Sequence, residues 1–391
     1  MANQFLTPKI VGLEALRILR PQLAMLAQVN VDYSAEFVNV GDTISVRRPT
    51  DFTANDMLNS DGTYNQTTVQ AVKEGSVPVK INKWKDVSFA LNAKDKTLIL
   101  PVFSDRVLAP AVTKLVTAVE TDLLNLFMDV PSYYGTAGVT PATLPDYAGI
   151  KNTLFQQKVP FTDRKVSLFI DGTATMNLQP LLTVLSGGSG NNPNLEGNQL
   201  AVDIYGMKPF SSQLISAFTP GTIGYEASPI ASGAALPDLA SGTQFISIAS
   251  GASTGTLKHG DILSFAGCAG TYVVLGSNSA GGSEVYTASS GAIAAVPIYP
   301  NLASSLSGAA VTVLGAHTPN LAFHRDAFTL AIRNLAMPES IKAEVVTDDD
   351  TGLSLRVSFG WDVNYQQDVC NIGILYGAAT LDQRLAARFL G

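Results

Sequence analysis

The chain has 391 residues and a net charge of −7. Its longest basic run is Arg47-Arg48, which argues against a surface built to grip nucleic acid. Charged residues make up 15% and hydrophobic residues 46%. Soluble domains usually carry about 25% charge, so a large core or partner chains must cover much of this surface. Two distant cysteines, Cys268 and Cys370, with no CxxC, exclude a disulfide framework and fit a reducing compartment.

The opening MANQFLTPKIVGLEALRILR lacks a charged start followed by an apolar stretch, so no signal peptide is expected. No run approaches the ~18 apolar residues of a membrane span. Residues 1–40 read as an arm. Ile10, Leu13, Leu16 and Leu19 recur at helical spacing, with Glu14, Arg17 and Arg20 on another face, and Pro21 interrupts the helix. An amphipathic segment of this kind needs a surface, either its own domain or a neighbouring subunit.

Residues 41–91 read as a long hairpin. GDTISVRRP is a strand closed by Pro49, and the return strand starts near Ser76. Val77, Val79 and Ile81 alternate, and Val87, Phe89 and Leu91 alternate again in register, with Lys83 and Lys85 between them on the same face. A strand that turns polar in its middle is leaving one core and entering another. The tip, about 50–66, is rich in Asn, Asp, Thr and Gly and predicts an exposed loop.

Residues 104–129 carry the strongest helix signal, with Leu108, Val112, Leu115, Val116, Val119, Leu123, Leu126 and Phe127 at steps of three and four. Ser104 is the candidate N-cap; Pro110 either kinks the first turns or marks the true start. At ~1.5 Å per residue this predicts a spine nearly 40 Å long. A mixed region follows: a helix over 147–157, a buried strand KVSLFI (165–170), a helix over 178–185 ending in SGGSGNN, and a strand over 201–210.

Composition then shifts. From 222 to 318 only Glu226, Asp238, Lys258, Asp261 and Glu284 are charged. Short β-prone pieces (FISI, ILSF, TYVVL, EVYT, AIAAVPIY, AVTVL) alternate with turn residues, which predicts an inserted barrel or sandwich. After it come LAFHRDAFTLAIRNL (321–335) and a hairpin. In the hairpin Ile341, Ala343 and Val345 alternate, TDDDTG turns, and Leu353, Leu355, Val357, Phe359, Trp361 and Val363 alternate without a break. NIGILYGA supplies another strand near the end.

Catalytic chemistry finds no foothold. His259, His317 and His324 are not spaced for metal binding, and there is no HExxH or GxSxG. SGGSG at 186–190 follows a helix and lacks a GK[ST], so it reads as a surface loop. Asp348, Asp349 and Asp350 are consecutive between two strands and read as a solvated turn, not a calcium loop. No catalytic, cofactor-binding or metal-ligating residue is assigned.

The order of arm, two-stranded loop, spine helix, α/β region and late strands resembles the Hong Kong 97-type major capsid proteins of tailed phages. GDTISVRRP is similar to the start of that family's extended loop, and DRVLAPAVTKLVTAVETDLLNLF to its spine helix. LKHGDILSFAG (257–267), AVTVLGAHTPNLAFHRDAFTLA (310–331) and the ending GLSLRVSFGWDVNYQQDVCNIGILYGAATLDQRLAARFLG are similar to the branch with a telokin-like insertion domain, typified by a short-tailed Salmonella phage.

The resemblance implies an α+β fold in named parts. These are an N-terminal arm (1–40), an extended loop (41–86), and a peripheral domain (87–145) with its spine helix at 104–129. The axial domain comes from 146–221 and 319–345, the inserted β barrel is 222–318, and the C-terminal strands of the peripheral domain are 346–391. It implies self-assembly as hexameric and pentameric capsomers into an icosahedral shell. Scaffolding protein and portal act during assembly, and a decoration protein is a candidate partner. The shell encloses double-stranded DNA without sequence-specific binding, in the virion after assembly in host cytoplasm, with no cofactor, no membrane and no enzymatic activity. Some relatives crosslink subunits through a lysine and an asparagine. Lys73, Lys80, Lys83 and Lys85 lie on or near the loop, but no motif marks that chemistry and none is assigned. An encapsulin-like nanocompartment shell would share the fold, though the stretch 222–318 disfavours it. An unrelated hydrolase or carbohydrate-binding module is the remaining alternative.

Overall fold

A computed structural model describes residues 8–19, 24–31, 43–47, 54–58, 61–67, 69, 76–91, 107–185, 203–225, 230–233, 244–249, 255–276, 284–288, 292–302, 305–338, 341–347, 353–362 and 367–391. Pro21, Pro49, Lys73, Ser104, SGGSG at 186–190, Asp348–Asp350 and Val363 lie outside them.

The arm helix α1 (Pro8–Leu19) buries Val11, Ala15 and Leu16 in the main core of its own body. β1 (Thr43–Arg47) and β2 (Ser76–Lys80) form an antiparallel ribbon in which Thr43 faces Lys80 and Arg47 faces Ser76. After two residues the chain continues as β3 (Lys83–Leu91), which pairs elsewhere. The polar break in the sequence is therefore where the strand changes partners. Within the loop tip Asn65 N–H bonds Met57 O at 2.9 Å, and Leu58 and Tyr64 form an antiparallel bridge.

The spine helix α2 (Ala109–Leu124) carries Pro110 in its first turn, where the missing N–H costs nothing. It turns into a 3-10 segment at Asn125–Asp129. Its sixteen residues make it about 24 Å long at ~1.5 Å per residue, shorter than the periodicity over 104–129 predicts. The apolar period runs on through Leu126 and Phe127, both buried, while the hydrogen bonding tightens beneath it. One flank of α2 carries Thr113, Thr117 and Thr121, each donating its hydroxyl to the carbonyl four residues back.

Beyond the spine come β4 (Tyr133–Tyr134), α3 (Leu144–Gln156), β5 (Val166–Ile170), α4 (Gly172–Leu185) and β6 (Lys208–Ser211). The strand predicted over 201–210 is corrected to these last residues. Ile204 and Met207 bond each other around a turn with Tyr205 and Gly206 at positive φ, which keeps 203–207 out of the sheet. The body is completed by β15 (Pro319–His324), β16 (Phe328–Arg333), β17 (Lys342–Thr347), β18 (Ser354–Asp362), β19 (Gln367–Thr380) and β20 (Ala386–Leu390).

These strands make two sheets. One runs β16-β19-β18-β17 with β3 on the other edge of β19; the other runs β4-β20-β15-β5-β6. The first packs one face on α1 and α2. The second is buried on both faces: Val166, Leu168 and Ile170 meet α3 and α4, while Phe169, Leu321 and Phe323 enter the main core. That is why KVSLFI and LAF read as continuous apolar runs and the 353–361 strand alternates. The chain passes between the sheets through the spine helix, from β3 to β4, and again through 3-10 turns at Arg325–Ala327 and Gln383–Leu385. Leu381 N–H bonds Ala327 O at 2.8 Å, which stitches the two corners together. The sheets therefore do not divide at residue 345: β16 and β17 join the sheet of β18 and β19, and β20 joins that of β15.

Between β6 and β15 lies a closed six-stranded barrel in the order β10-β11-β13-β8-β7-β14. Its strands are β7 (Ile230–Gly233), β8 (Gln244–Ala249), β10 (Ile262–Phe265), β11 (Tyr272–Val274), β13 (Ala292–Tyr299) and β14 (Leu306–Val313). β9 (Thr256–Lys258) pairs with β12 (Val285–Thr287) beside it. β8 alternates buried and exposed, with Ile246 and Ile248 inward. Closure removes free sheet edges, so a stretch with few charges can remain discrete.

Candidate functional site

The barrel joins the body through a neck where Phe218 and His317 exchange backbone hydrogen bonds at 2.8 and 3.2 Å. Beside the neck, segments distant in sequence converge on Arg388 of β20, which is completely buried. Its Nε donates to Val130 O (2.9 Å), Nη1 to Gly260 O (2.8 Å) and Nη2 to Met128 O (3.3 Å). The guanidinium sits 5.1 Å from the centroid of the Phe127 ring. Burial draws its pKa down to about 9, opposed by the charges of Asp261 and Asp129, so it remains a cation at neutral pH.

Asp261 lies on the barrel side, also fully buried. It accepts Lys258 N–H at 2.7 Å and Gly221 N–H at 3.1 Å. Burial raises its carboxyl to about 6, against the pull of those bonds and of Arg388 and Lys258. Asp129, at the end of the spine, accepts the His259 Nε2 hydrogen at 2.8 Å and the Thr380 hydroxyl at 2.7 Å. Two glycines make the approach possible. Gly260 has φ +95°, and a Cβ there would fall 3.0 Å from Met128 Cγ; a Cβ on Gly221 would fall 2.1 Å from Thr256 O. All three guanidinium nitrogens have acceptors and both carboxylates hold donors. Chemically, the arrangement holds two units together.

His324 is buried where β15 meets its corner. Its Nε2 hydrogen goes to Asp163 Oδ2 at 2.9 Å, and its Nδ1 accepts Asp326 N–H at 3.3 Å, which makes it a structural cap. His317 donates from Nδ1 to Gly315 O at 2.9 Å inside the neck. Lys80 and Lys85 are exposed, while Lys83 pairs with Asp122. Cys370 is buried and Cys268 half-buried. Among the described residues no three His, Cys, Asp or Glu side chains gather as a metal site, and no helix is long and apolar enough to cross a membrane.

Large apolar side chains are exposed in several places. Leu58, Tyr64 and Val69 on the loop are 61%, 84% and 90% exposed. Trp84 and Trp361 stand out from the body sheet, and Phe155 and Met176 from the α3 and α4 helices. Scattered single apolar residues need no explanation, but a loop carrying three of them offers a contact surface.

Residues 10–192 match the protein family described as P22 coat protein, gene protein 5. That stretch, just short of half the chain, holds the arm helix, the loop, the spine helix, α3, β5 and α4 in the order the sequence predicts. The match supports reading the chain as a tailed-phage major capsid protein. No curated protein matches the chain. Solved structures similar to it include one from Mycobacterium phage Che8, at 12% identity over 93% of this chain and 90% of that one, with a TM-score of 0.47. Another is the capsid of cyanophage P-SCSP1u, at 11% identity over 90% and 83%, TM-score 0.43. A third is a virus-like particle from Pyrococcus furiosus, at 6% identity over 99% and 100%, TM-score 0.39. At these scores the alignments carry none of the assignment, which rests on the coat-protein match and the element order. The match ends before the barrel begins.

The Arg388 cluster was not marked by any sequence motif. One signal was present: an arginine in the run Ala386-Ala387-Arg388-Phe389-Leu390, every member of which is buried. A lone charge inside an apolar strand must find buried partners. Asp129, His259 and Asp261 carry no such mark.

Proposed function

We propose that this capsid protein assembles through hexamers and pentamers into an icosahedral shell around double-stranded DNA. Scaffolding protein and portal guide assembly in the host cytoplasm, and the subunit performs no catalysis. The observation that carries the reading is the loop. Its base is tied to the body by the Lys83–Asp122 ion pair at 3.2 Å, and its tip bears Leu58 and Tyr64 exposed to solvent. A tip tethered in this way is suited to a neighbouring copy. Subunits in rings associate head to tail, so the surface a loop touches differs from the surface that carries it. Many such contacts, each modest, sum to a stable shell.

The closed barrel between β6 and β15 supports membership of the telokin-like insertion branch, and it disfavours a cellular compartment shell. Co-expression with a scaffolding partner followed by cryo-electron microscopy tests the proposal. Six-fold and five-fold capsomers with residues 54–67 lying over an adjacent subunit are expected. Particles in which that tip touches only its own subunit would overturn the assigned role of the loop.

A further inference from the structure

Barrel and body have separate cores. Ile246, Leu263, Val274 and Ile298 belong to one, Leu115, Phe323 and Ile372 to another. Covalently they meet only at the two strands of the neck. Two backbone bonds between Phe218 and His317 would leave the barrel free to tilt about that neck.

The buried cluster opposes that tilt. The Arg388 donors point to both sides of the seam: to Gly260 in the barrel, and to Met128 and Val130 in the body. Asp129 of the body holds His259 of the barrel, and Asp261 of the barrel holds Gly221 of the neck. The Lys258 ammonium donates to Thr219 O at 3.1 Å, and the Thr271 hydroxyl to Pro131 O at 2.9 Å, strapping the rim. Among the described residues, Arg388, Asp261, Asp129, His259, Lys258 and His317, whose imidazole feels the charge of Arg388, are charged or titratable groups that meet there. Tilting the barrel would strip a buried guanidinium of an acceptor, and a buried charge without partners is costly.

We infer that this cluster is a latch that fixes the posture of the barrel on the body, with the C-terminal strand as its key. The latch is a property of a single chain. Only its consequence for assembly, a uniform outward geometry for every barrel in a shell, rests on the shell-subunit reading.

Hydrogen exchange on the unassembled full-length subunit tests the latch, with R388M and D261N as variants. The amides of Gly221 and Lys258, which donate to Asp261, should exchange about tenfold faster in both variants, as in a local opening. The barrel amides of Ile246 and Ile248 and the body amides of Leu168 and Ile372 should keep their protection. Unchanged exchange at the seam would overturn the latch. So would a joint loss of protection in barrel and body, which would make Arg388 an ordinary core residue. If R388M does not fold, D261N alone decides between these outcomes. Shells of mixed size from a folded variant would support the consequence for assembly. Uniform shells would overturn that consequence while leaving the exchange result to judge the latch.

Discussion

Lys83 Nζ lies 3.2 Å from Asp122 Oδ1, and the Tyr376 hydroxyl donates to the other oxygen of that carboxylate at 2.5 Å. One acid thus ties the base of the extended loop to the spine helix and to the longest strand. Burial, and then the bond to Asp122, raise the Tyr376 phenol above its ordinary range, so it stays a donor.

Removing the carboxylate should cost more than removing the ammonium, because Asp122 serves two partners. Asp122→Ala leaves the lysine and the tyrosine hydroxyl unpaired and should destabilise the subunit by about 2–4 kcal/mol; Lys83→Met should cost about 1 kcal/mol. Urea midpoints at constant slope would measure both. Equal midpoints for the two variants would contradict the shared role of Asp122.

The neck predicts a pH effect. Burial lowers His317 to about 4 from 6.5, so the fold holds it neutral while the unfolded chain takes up a proton. Its contribution is full above pH 6.5 and is lost as the pH falls toward 4. Asp261 runs the other way: raised to about 6 from 3.8, it adds stability as the pH falls through that window. In His317→Phe only the second effect remains. The stability of the variant relative to the unsubstituted chain should therefore rise between pH 7 and pH 4, by an amount on the order of 3 kcal/mol. A difference that stays constant with pH would refute the assignment.

Cys370 faces Phe89 across the β19–β3 pairing, and burial pushes its thiol up to about 12. A maleimide should modify half-buried Cys268 first. Cys370 should react only as fast as the sheet opens. Equal rates in the folded subunit would mean that this sheet opens readily.

How much of this could be read from the chain depended on whether the signal was local. The 341–361 hairpin was legible only in part. Leu353, Leu355 and Val357 enter the core as their alternation predicts. In the partner strand Val346 is buried while Ile341 is 41% exposed, and Trp361 faces outward, so the face expected from Ile341, Ala343 and Val345 is corrected. The barrel was legible because few charges and many turns act together. The spine's early tightening was hidden, since Leu126 and Phe127 sustain the apolar period through the 3-10 segment. The corner at Arg325–Ala327 splits what reads as one segment into two strands of different sheets. It depends on a cap from His324 and on a bond to Leu381. The Arg388 cluster gathers residues more than a hundred positions apart, and no spacing rule reaches that far.

Deleting residues 52–64 should leave the folded core intact, because the described side chains of that stretch are exposed, with Leu58 61% and Tyr64 84% accessible. The thermal transition should be retained while shell yield falls. Normal shells from the deletion variant would mean that the loop tip makes no essential contact between subunits.

The most direct measurement is sedimentation combined with negative-stain electron microscopy of the purified chain, alone and with its scaffolding partner. A major capsid protein should sediment as large closed shells of defined diameter. Persistent monomers under every assembly condition, with no rings or shells on the grid, would contradict the account.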